Sequence, residues 1–517
     1  MPPVAHPKAS ESRLRKQVIS NRRISLWTVV FLSSVYVLAS SGRARTPDEY
    51  MTLFQAESLI ENGTTAVPQS LQAQNFYGKY DLHHQPRSPY PAGQAILAVA
   101  FVWFAGSVVS HLPGVAQDRT AQFYLEGFAA TLSSAMFAAL GMGVFFLLLR
   151  RLQLTLRDAI AVTACVAFAT LLFPYSGYFF SEPLTTLLLL CTAYTLFGSD
   201  APLSRRRAIS AGVLLAFAVW VRPTMVLAAG VFTLAIAIRE KVSKWRSVVL
   251  ALAIPGISAI GYLAWNKHLF GRAFEFGYPD TAELGKHLNT FTTPFHVGLF
   301  GLLFSPGKSI FLYFPPVVLA VWGLRRLWKF DRGLAILCGV LPLVYLLFYA
   351  RYTQWEGGYC VGPRYMLPSL IVCCVALAPV MQCASRRLRN AVFALALLGF
   401  VVQIVSYSTS FLEDQVGGAQ YYDTRFDYRL SYNPMLSQTQ RLWHYLHGAP
   451  APLGLGFDRW PVFLSKLGIK TGTLLVIAIP PLVLAIWSFW ALRRSWINAE
   501  LIDAEEPSMA SAGVDAS

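Results

Sequence analysis

Asp48 and Glu49 are the first acidic residues after a long apolar run, and Lys79, His83, His84 and Arg87 follow them within one polar stretch, Arg43 to Pro91. A carboxylate within reach of bases and histidines is equipment for proton transfer and for holding an anion. Further along, Glu182, Arg222, Lys308, Arg351, Trp355, Glu356 and Arg364 stand at or near the ends of apolar segments. Ionisable groups at that depth are costly unless they are paired or functional, so together they mark a candidate site. Several cations beside few acids suit a lipid-linked phosphate.

Each of these residues also has an ordinary use. Arg351 and Arg364 are placed to mark a membrane boundary by snorkelling. Arg222, just before Pro223 in a tight hairpin, is expected to pair with Glu182 as a structural ion pair. His83 and His84 lack the carboxylate or cysteine spacing that completes a metal site, and no residue is assigned as a metal ligand. Gly307-Lys308-Ser309 looks like a P-loop ending, but the spacing back to Gly301 is one residue too long and no strand precedes it.

The element that must carry the two acids is readable. Thr46-Pro47-Asp48-Glu49 has the pattern of a helix start, with a threonine N-cap, proline at the first position and glutamate three residues after the cap. Asn62-Gly63 is a stop signal. Tyr50, Leu53, Phe54 and Ile60 share a face, with Thr52, Gln55 and Glu61 away from it, so this helix is expected to lie in the membrane interface. The capping box accounts for Glu49; Asp48 is left spare and becomes the candidate for chemistry.

With 55% hydrophobic and only 14% charged residues in 517 and a positive mean hydropathy, the chain is too apolar for one soluble domain and reads as a polytopic membrane protein. Its net charge of +16 does not point to nucleic acid, because the basic residues cluster in short connections between apolar spans. That is the positive-inside distribution. Six of the seven cysteines lie in or beside spans and only Cys360 is in an outer loop, so no disulfide framework is implied.

The expected fold is all-α, with about 12 membrane spans and interfacial helices in the first outer loop. A cytoplasmic leader covers 1–23. The first span, 24–41, is read as a retained signal anchor. The first outer loop is 42–91, and 92–112 is expected to be re-entrant or interfacial, since a crossing there would invert every later basic cluster. The remaining spans are 124–149, 158–174, 182–198, 208–221, 224–238, 247–266, 308–324, 333–349, 365–383, 390–410 and 471–492. Between the last two lies an extracytoplasmic loop, 411–470, and the acidic tail 493–517 reads as cytoplasmic and disordered.

Several motifs in this order resemble a known family. They are Asp48-Glu49 opening the first outer loop, Gly78-Lys79-Tyr80 followed by PRSPYPAGQAIL, the run GLFGLLFSPGKSIFLYFPP over 298–316, and WEGGYCVGPRYMLP over 355–368. Together they look like bacterial GT-C membrane glycosyltransferases of the protein O-mannosyltransferase and aminoarabinose transferase group. The resemblance covers most of 24–410 and leaves 412–470 uncovered.

What it implies is an all-helical enzyme of the inner membrane that works on the periplasmic face. Its expected partners are a polyprenyl-phosphate sugar donor drawn from the bilayer and a lipid, glycan or protein acceptor. In that group the first-loop acid, matched here by Asp48 with Glu49 beside it, acts as general base or binds the acceptor. Lys308, Arg364, Arg87 and Arg351 are then the donor-phosphate candidates. Lys79, His83, His84, Glu182, Arg222, Trp355 and Glu356 are candidates for sugar or acceptor contacts or for support. No cofactor is assigned, and a divalent metal is left open. Asp48 would accept the acceptor hydroxyl's proton as its oxygen attacks the anomeric carbon, with inversion, while cations stabilise the leaving phosphate. Two other readings are a lipid-linked sugar transporter or flippase, which wants charges in mid-membrane and paired broken helices, and an O-antigen polymerase or ligase, whose chemistry would rest on the late loop.

Overall fold

A computed structural model describes residues 7–109, 119–198, 203–240, 245–279, 290–358, 360–383, 385–412, 433–448 and 457–498. Among the described residues the regular secondary structure is helical apart from one hairpin, in which Lys79–Tyr80 pairs antiparallel with Pro86–Arg87, and two isolated bridges. Seven helical segments are long and apolar enough to cross a membrane. Hydrocarbon-rich runs take this form because a helix satisfies every backbone polar group internally. The protein is therefore an all-α, multi-pass membrane protein.

The helix starts follow the sequence signals. Thr155, Ser204 and Asp331 each cap the helix they precede by accepting a backbone N–H from Asp158, Arg207 and Leu334. The other end of one span is finished from outside. The closing carbonyls of helix Glu182–Leu196 and the turn after it accept hydrogen bonds from Arg151 (Tyr194 O and Phe197 O), Arg207 (Thr195 O and Leu196 O) and Arg239 (Leu196 O). Arginines of the basic connections thus satisfy helix-end carbonyls that have no partner of their own.

Two expected spans are broken in the structure, and the segment expected to be re-entrant or interfacial takes the form of one helix. The segment 308–324 is not one helix: Phe295–Phe304 ends at Ser305, a single turn Ile310–Tyr313 follows, and Val317–Phe330 resumes after Pro315-Pro316. The prolines remove backbone donors and forbid the helix before them. The expected span 158–174 ends as a helix at Phe168, with the turn Leu172–Tyr175 after it. The segment 92–112 is one unbroken helix, Gly93–Val109, so it does not double back as a re-entrant loop would. At 1.5 Å per residue its 17 residues rise about 25 Å.

Small residues set the close approaches between spans. Gly298 lies against the backbone carbonyl of Ala350, and Gly301 lies under the indole of Trp355; a Cβ at either would drive into its neighbour. Helix Phe295–Phe304 thereby packs tightly along helix Arg332–Arg351. Arg364–Met381, assembled from short helical pieces, is wholly enclosed by other spans and forms the centre of the main core. The late segment 411–470 is described at 411–412, 433–448 and 457–470, with helices Pro434–Leu446 and Trp460–Lys466, and 413–432 and 449–456 of that expected loop lie outside the described residues.

Candidate active site

Helix Pro47–Asn62 forms where expected. The Thr46 side chain accepts the Glu49 N–H, Glu49 reaches back to the Thr46 N–H, and Gly63 ends the helix at φ 63°. Burial does not follow the expected one-sided pattern, however. Thr52 and Gln55, expected to point away from the apolar face, are buried too, because the helix is covered on both sides. Gln55 donates to the Tyr90 carbonyl at 2.9 Å, which ties the start of the first loop to its end.

Glu49 is part of this anchorage and does not line the cavity described below. Its Oε2 accepts the Arg45 N–H at 2.9 Å, the Thr46 N–H at 3.1 Å and the Thr46 hydroxyl at 3.2 Å, and its Oε1 accepts the Phe179 N–H at 2.9 Å. Burial pushes its carboxyl up, opposed by Arg45 and by these backbone donors. Glu49, expected to share the chemistry with Asp48, has both its oxygens engaged in holding the helix start and Phe179, and it is Asp48 that lines the cavity.

Beside it Arg45 is fully buried and pairs with Asp458 at 2.8 Å, while Arg43 meets the same carboxylate at 3.2 Å. Burial alone would raise the Asp458 carboxyl, but Arg45, Arg43 and Arg459 outweigh it and hold it below the usual aspartate range. The late segment, left without a role by the sequence, therefore clamps the first loop through one acid.

One turn along, Asp48 faces a cavity of about 380 Å³. Arg364 Nη2 lies 2.8 Å from Asp48 Oδ2, and the Tyr90 hydroxyl donates to Asp48 Oδ1 at 2.6 Å. Burial, with the Asp48 charge behind it, pushes the Tyr90 phenol well above its ordinary range, so it stays a donor. Beside the Asp48–Arg364 pair, sharing the Tyr365 ring with Arg364, Arg222 Nη1 pairs with Glu182 Oε1 at 2.8 Å. The two ion pairs balance, so the charged lining sums to zero.

The rest of the wall is aromatic. Tyr349 and Tyr365 stack at 4.5 Å; Arg222 lies over the Tyr365 ring at 4.7 Å, and Arg364 over Phe180 at 4.8 Å. Tyr278 and Tyr352 also line it. Arg364 Nε and Glu182 Oε2 are buried without a hydrogen-bond partner among the described residues. A wall of phenols and guanidinium faces with one unused donor and one unused acceptor can stack on a ring and bond its hydroxyls.

Of the candidates, Asp48, Glu182, Arg222 and Arg364 converge on this cavity. The others do not line it. Lys308 is buried in the break before Ile310–Tyr313, its Nζ donating to the Cys360 carbonyl at 3.1 Å, so it braces the loop that leads to Arg364. Arg87 pairs with Asp81 at 2.8 Å and bonds Thr65, which fixes the hairpin. Lys79 pairs with Glu275 at 3.3 Å, and Arg351 is exposed with a bond to the Phe291 carbonyl. His83 and His84 are exposed at the hairpin tip, and no cluster able to hold a metal ion occurs among the described residues. Trp355 is buried beneath Gly301, and Glu356 stays in the neighbouring loop away from the lining.

Sequence reasoning missed Tyr90, Tyr278, Tyr349, Tyr352 and Tyr365. The signal available was the density of tyrosines flanking Arg364 and closing the first loop.

No family model matches this sequence, and no curated protein matches it. Among solved structures the chain is similar to ArnT from Cupriavidus metallidurans bound to undecaprenyl phosphate. That match has 14% identity and a TM-score of 0.46 over 94% of this chain and 78% of that one. The apo form of the same protein gives 15% identity and a TM-score of 0.44 over 95% and 78%. The apo Archaeoglobus fulgidus oligosaccharyltransferase gives 12% identity and a TM-score of 0.39 over 76% of this chain and 54% of that one.

Proposed function

We propose that this protein is a membrane glycosyltransferase that moves a sugar from a polyprenyl-phosphate carrier to an acceptor hydroxyl in the Asp48 cavity, on the extracytoplasmic face of the inner membrane. The observation that carries the reading is the 2.8 Å meeting of Asp48 with Arg364 inside an aromatic cavity. A base and an anion-binding group held at one point are the two functions such a transfer needs.

Both Asp48 oxygens are occupied, one by Arg364 and one by Tyr90. A donor phosphate arriving at Arg364 gives the guanidinium a second anion to bind, in the bidentate manner that suits it. That exchange frees Asp48 Oδ2 to accept the acceptor hydroxyl's proton. The acceptor oxygen then bonds to the anomeric carbon as the carbon–phosphate oxygen bond breaks, and the electron pair leaves with the polyprenyl phosphate. One displacement inverts the anomeric centre and needs a single carboxylate. Tyr90 orients that carboxylate, and the Glu182–Arg222 pair supplies an acceptor at Oε2 for a sugar hydroxyl. The stacked Tyr349 and Tyr365 offer the ring a platform.

The test uses the purified full chain in liposomes with a polyprenyl-phosphate hexose and a hydroxyl acceptor. Release of free polyprenyl phosphate that depends on both protein and acceptor is expected. No release with any carrier-linked sugar, together with movement of the intact lipid across the bilayer, would replace the transferase by a flippase.

A further inference from the structure

A second cavity lies at the other end of the bundle. Helices Pro7–Ala39 and Thr471–Ile497 run antiparallel: Trp460, just before the second, donates its N–H to the Ser40 carbonyl at 3.0 Å, while Trp27 and Trp487 meet at 4.9 Å nearer the opposite ends. Between those opposite ends is a space of about 710 Å³. Arg23, on its wall, is about 24 Å along the helix from Ala39, at the 1.5 Å rise per residue.

Its composition is unusual. Arg23, Arg493 and Arg494 line it with Trp27, Trp487 and Trp490, and no acid is in the wall among the described residues. None of the three arginines forms an ion pair among the described residues. Arg493 lies over the Trp490 ring at 4.9 Å, which holds one guanidinium at the indole level. The tryptophans continue onto an apolar face, since only 11% of the most apolar window of Thr471–Ile497 is buried and Trp487, Phe489 and Trp490 are at least half exposed. Arginines without a counter-ion among the described residues, indoles within a turn or two of them along the same helices, and an uncovered apolar face beyond form a graded surface of the kind that suits a membrane interface.

The geometry points to a binding site for one anionic phospholipid, its phosphodiester held by Arg23, Arg493 and Arg494 and its acyl chains laid along the open face of Thr471–Ile497. A guanidinium fork matches phosphate oxygens, and the apolar face gives a tailed ligand an advantage that a free anion lacks. The general attraction of basic segments to an anionic leaflet explains neither the cavity nor the indole lining.

Native mass spectrometry of the full chain, delipidated in detergent and titrated with phosphatidylglycerol or phosphatidylcholine, tests this. One phosphatidylglycerol should be retained in preference to phosphatidylcholine. R494Q should weaken retention roughly fivefold and the triple variant R23Q/R493Q/R494Q about a hundredfold, while R205Q/R206Q leaves it unchanged. Equal retention of the two lipids, or an equal loss in R205Q/R206Q, overturns the site. Complete displacement by millimolar inorganic phosphate would mean a free-anion site, and retention that appears only when residues 499–517 are removed would mean the chain's own acidic end is the occupant; either outcome also overturns the proposal. The thermal shift given by phosphatidylglycerol in wild type and in R494Q is a second reading, in which a loss confined to wild type's extra stabilisation separates lost binding from lost folding.

Discussion

The substitution Asp48→Asn separates base chemistry from architecture. Asn keeps the shape of Asp, and its Oδ1 still accepts from the Tyr90 hydroxyl that stands 2.6 Å from Asp48. Its amide nitrogen, however, cannot accept from Arg364, whose present distance to the carboxylate is 2.8 Å. The Asp48 side chain is 23% and the Arg364 side chain 9% exposed, so the lost pair leaves a buried guanidinium short of a partner and should cost stability about 1–3 kcal/mol. The capping box of Thr46 and Glu49 does not involve the substituted group, so the helix start survives. The rate carries the larger effect: a positioned base contributes about 10²- to 10⁴-fold, equivalent to roughly 3 to 5.5 kcal/mol in the barrier. The assay is turnover of a polyprenyl-phosphate sugar in liposomes, with donor KM and kcat resolved. The expected pattern is a kcat lower by two to four decades and a donor KM that is unchanged or lower, because Arg364 is released for the phosphate. A kcat within threefold of wild type, or a loss that appears only as a raised donor KM, refutes the assignment of the base.

Three further outcomes follow from the geometry. Tyr90→Phe removes the donor on Asp48 Oδ1, a hydrogen bond to a charged group worth about 1.5–3 kcal/mol, and should lower transfer about tenfold to a hundredfold at unchanged expression; parity with wild type would refute the orienting role. Arg364→Gln should raise donor KM, whereas Lys308→Met should lower the melting temperature and leave donor KM nearly alone; the opposite pattern would restore Lys308 as the phosphate ligand. Asp458 is an acid held low in the folded protein, so its contribution is complete above about pH 4 and is lost as pH falls through its lower folded value. Nicking around residues 43–62, by a neutral protease above about pH 5 and an acid protease below it, each normalised to an unstructured peptide, should therefore be flat from pH 7 to about pH 5 and accelerate below about pH 4, and an Asp458→Asn variant nicked no faster than wild type at pH 7 would refute the clamp.

The parts of the site that were legible in the sequence are those specified locally. The capping box at Thr46 and the stop at Gly63 are short-range patterns, and they gave the Asp48 helix its boundaries to within a residue. Glu182 with Arg222 was legible because a proline hairpin and an acid at a span end leave two buried charges few other partners. Arg364 followed from its motif, but its partner did not, since the 2.8 Å contact with Asp48 joins the two ends of the chain's main body. Lys308 lies off the Asp48 cavity for a physical reason: Pro306 and the Pro315-Pro316 pair break the helix it was expected to open, and its amine bonds the Cys360 carbonyl. The tyrosine wall was illegible because aromatic side chains in an apolar sequence carry no periodic signal that separates a ligand surface from ordinary packing.

The bond between Arg45 and Asp458 spans 413 residues. At ordinary translation speeds of about 5–20 residues per second, the ribosome needs roughly 20 to 80 s to make the second partner after the first. Through that interval the buried-type Arg45 of the first outer loop has Glu49, 4.0 Å away in the folded protein, as its acidic neighbour but lacks the closer Asp458. A nascent chain interrupted before residue 458 would carry Asp48 and Arg364 yet lack the acid that fastens the first outer loop to the late segment.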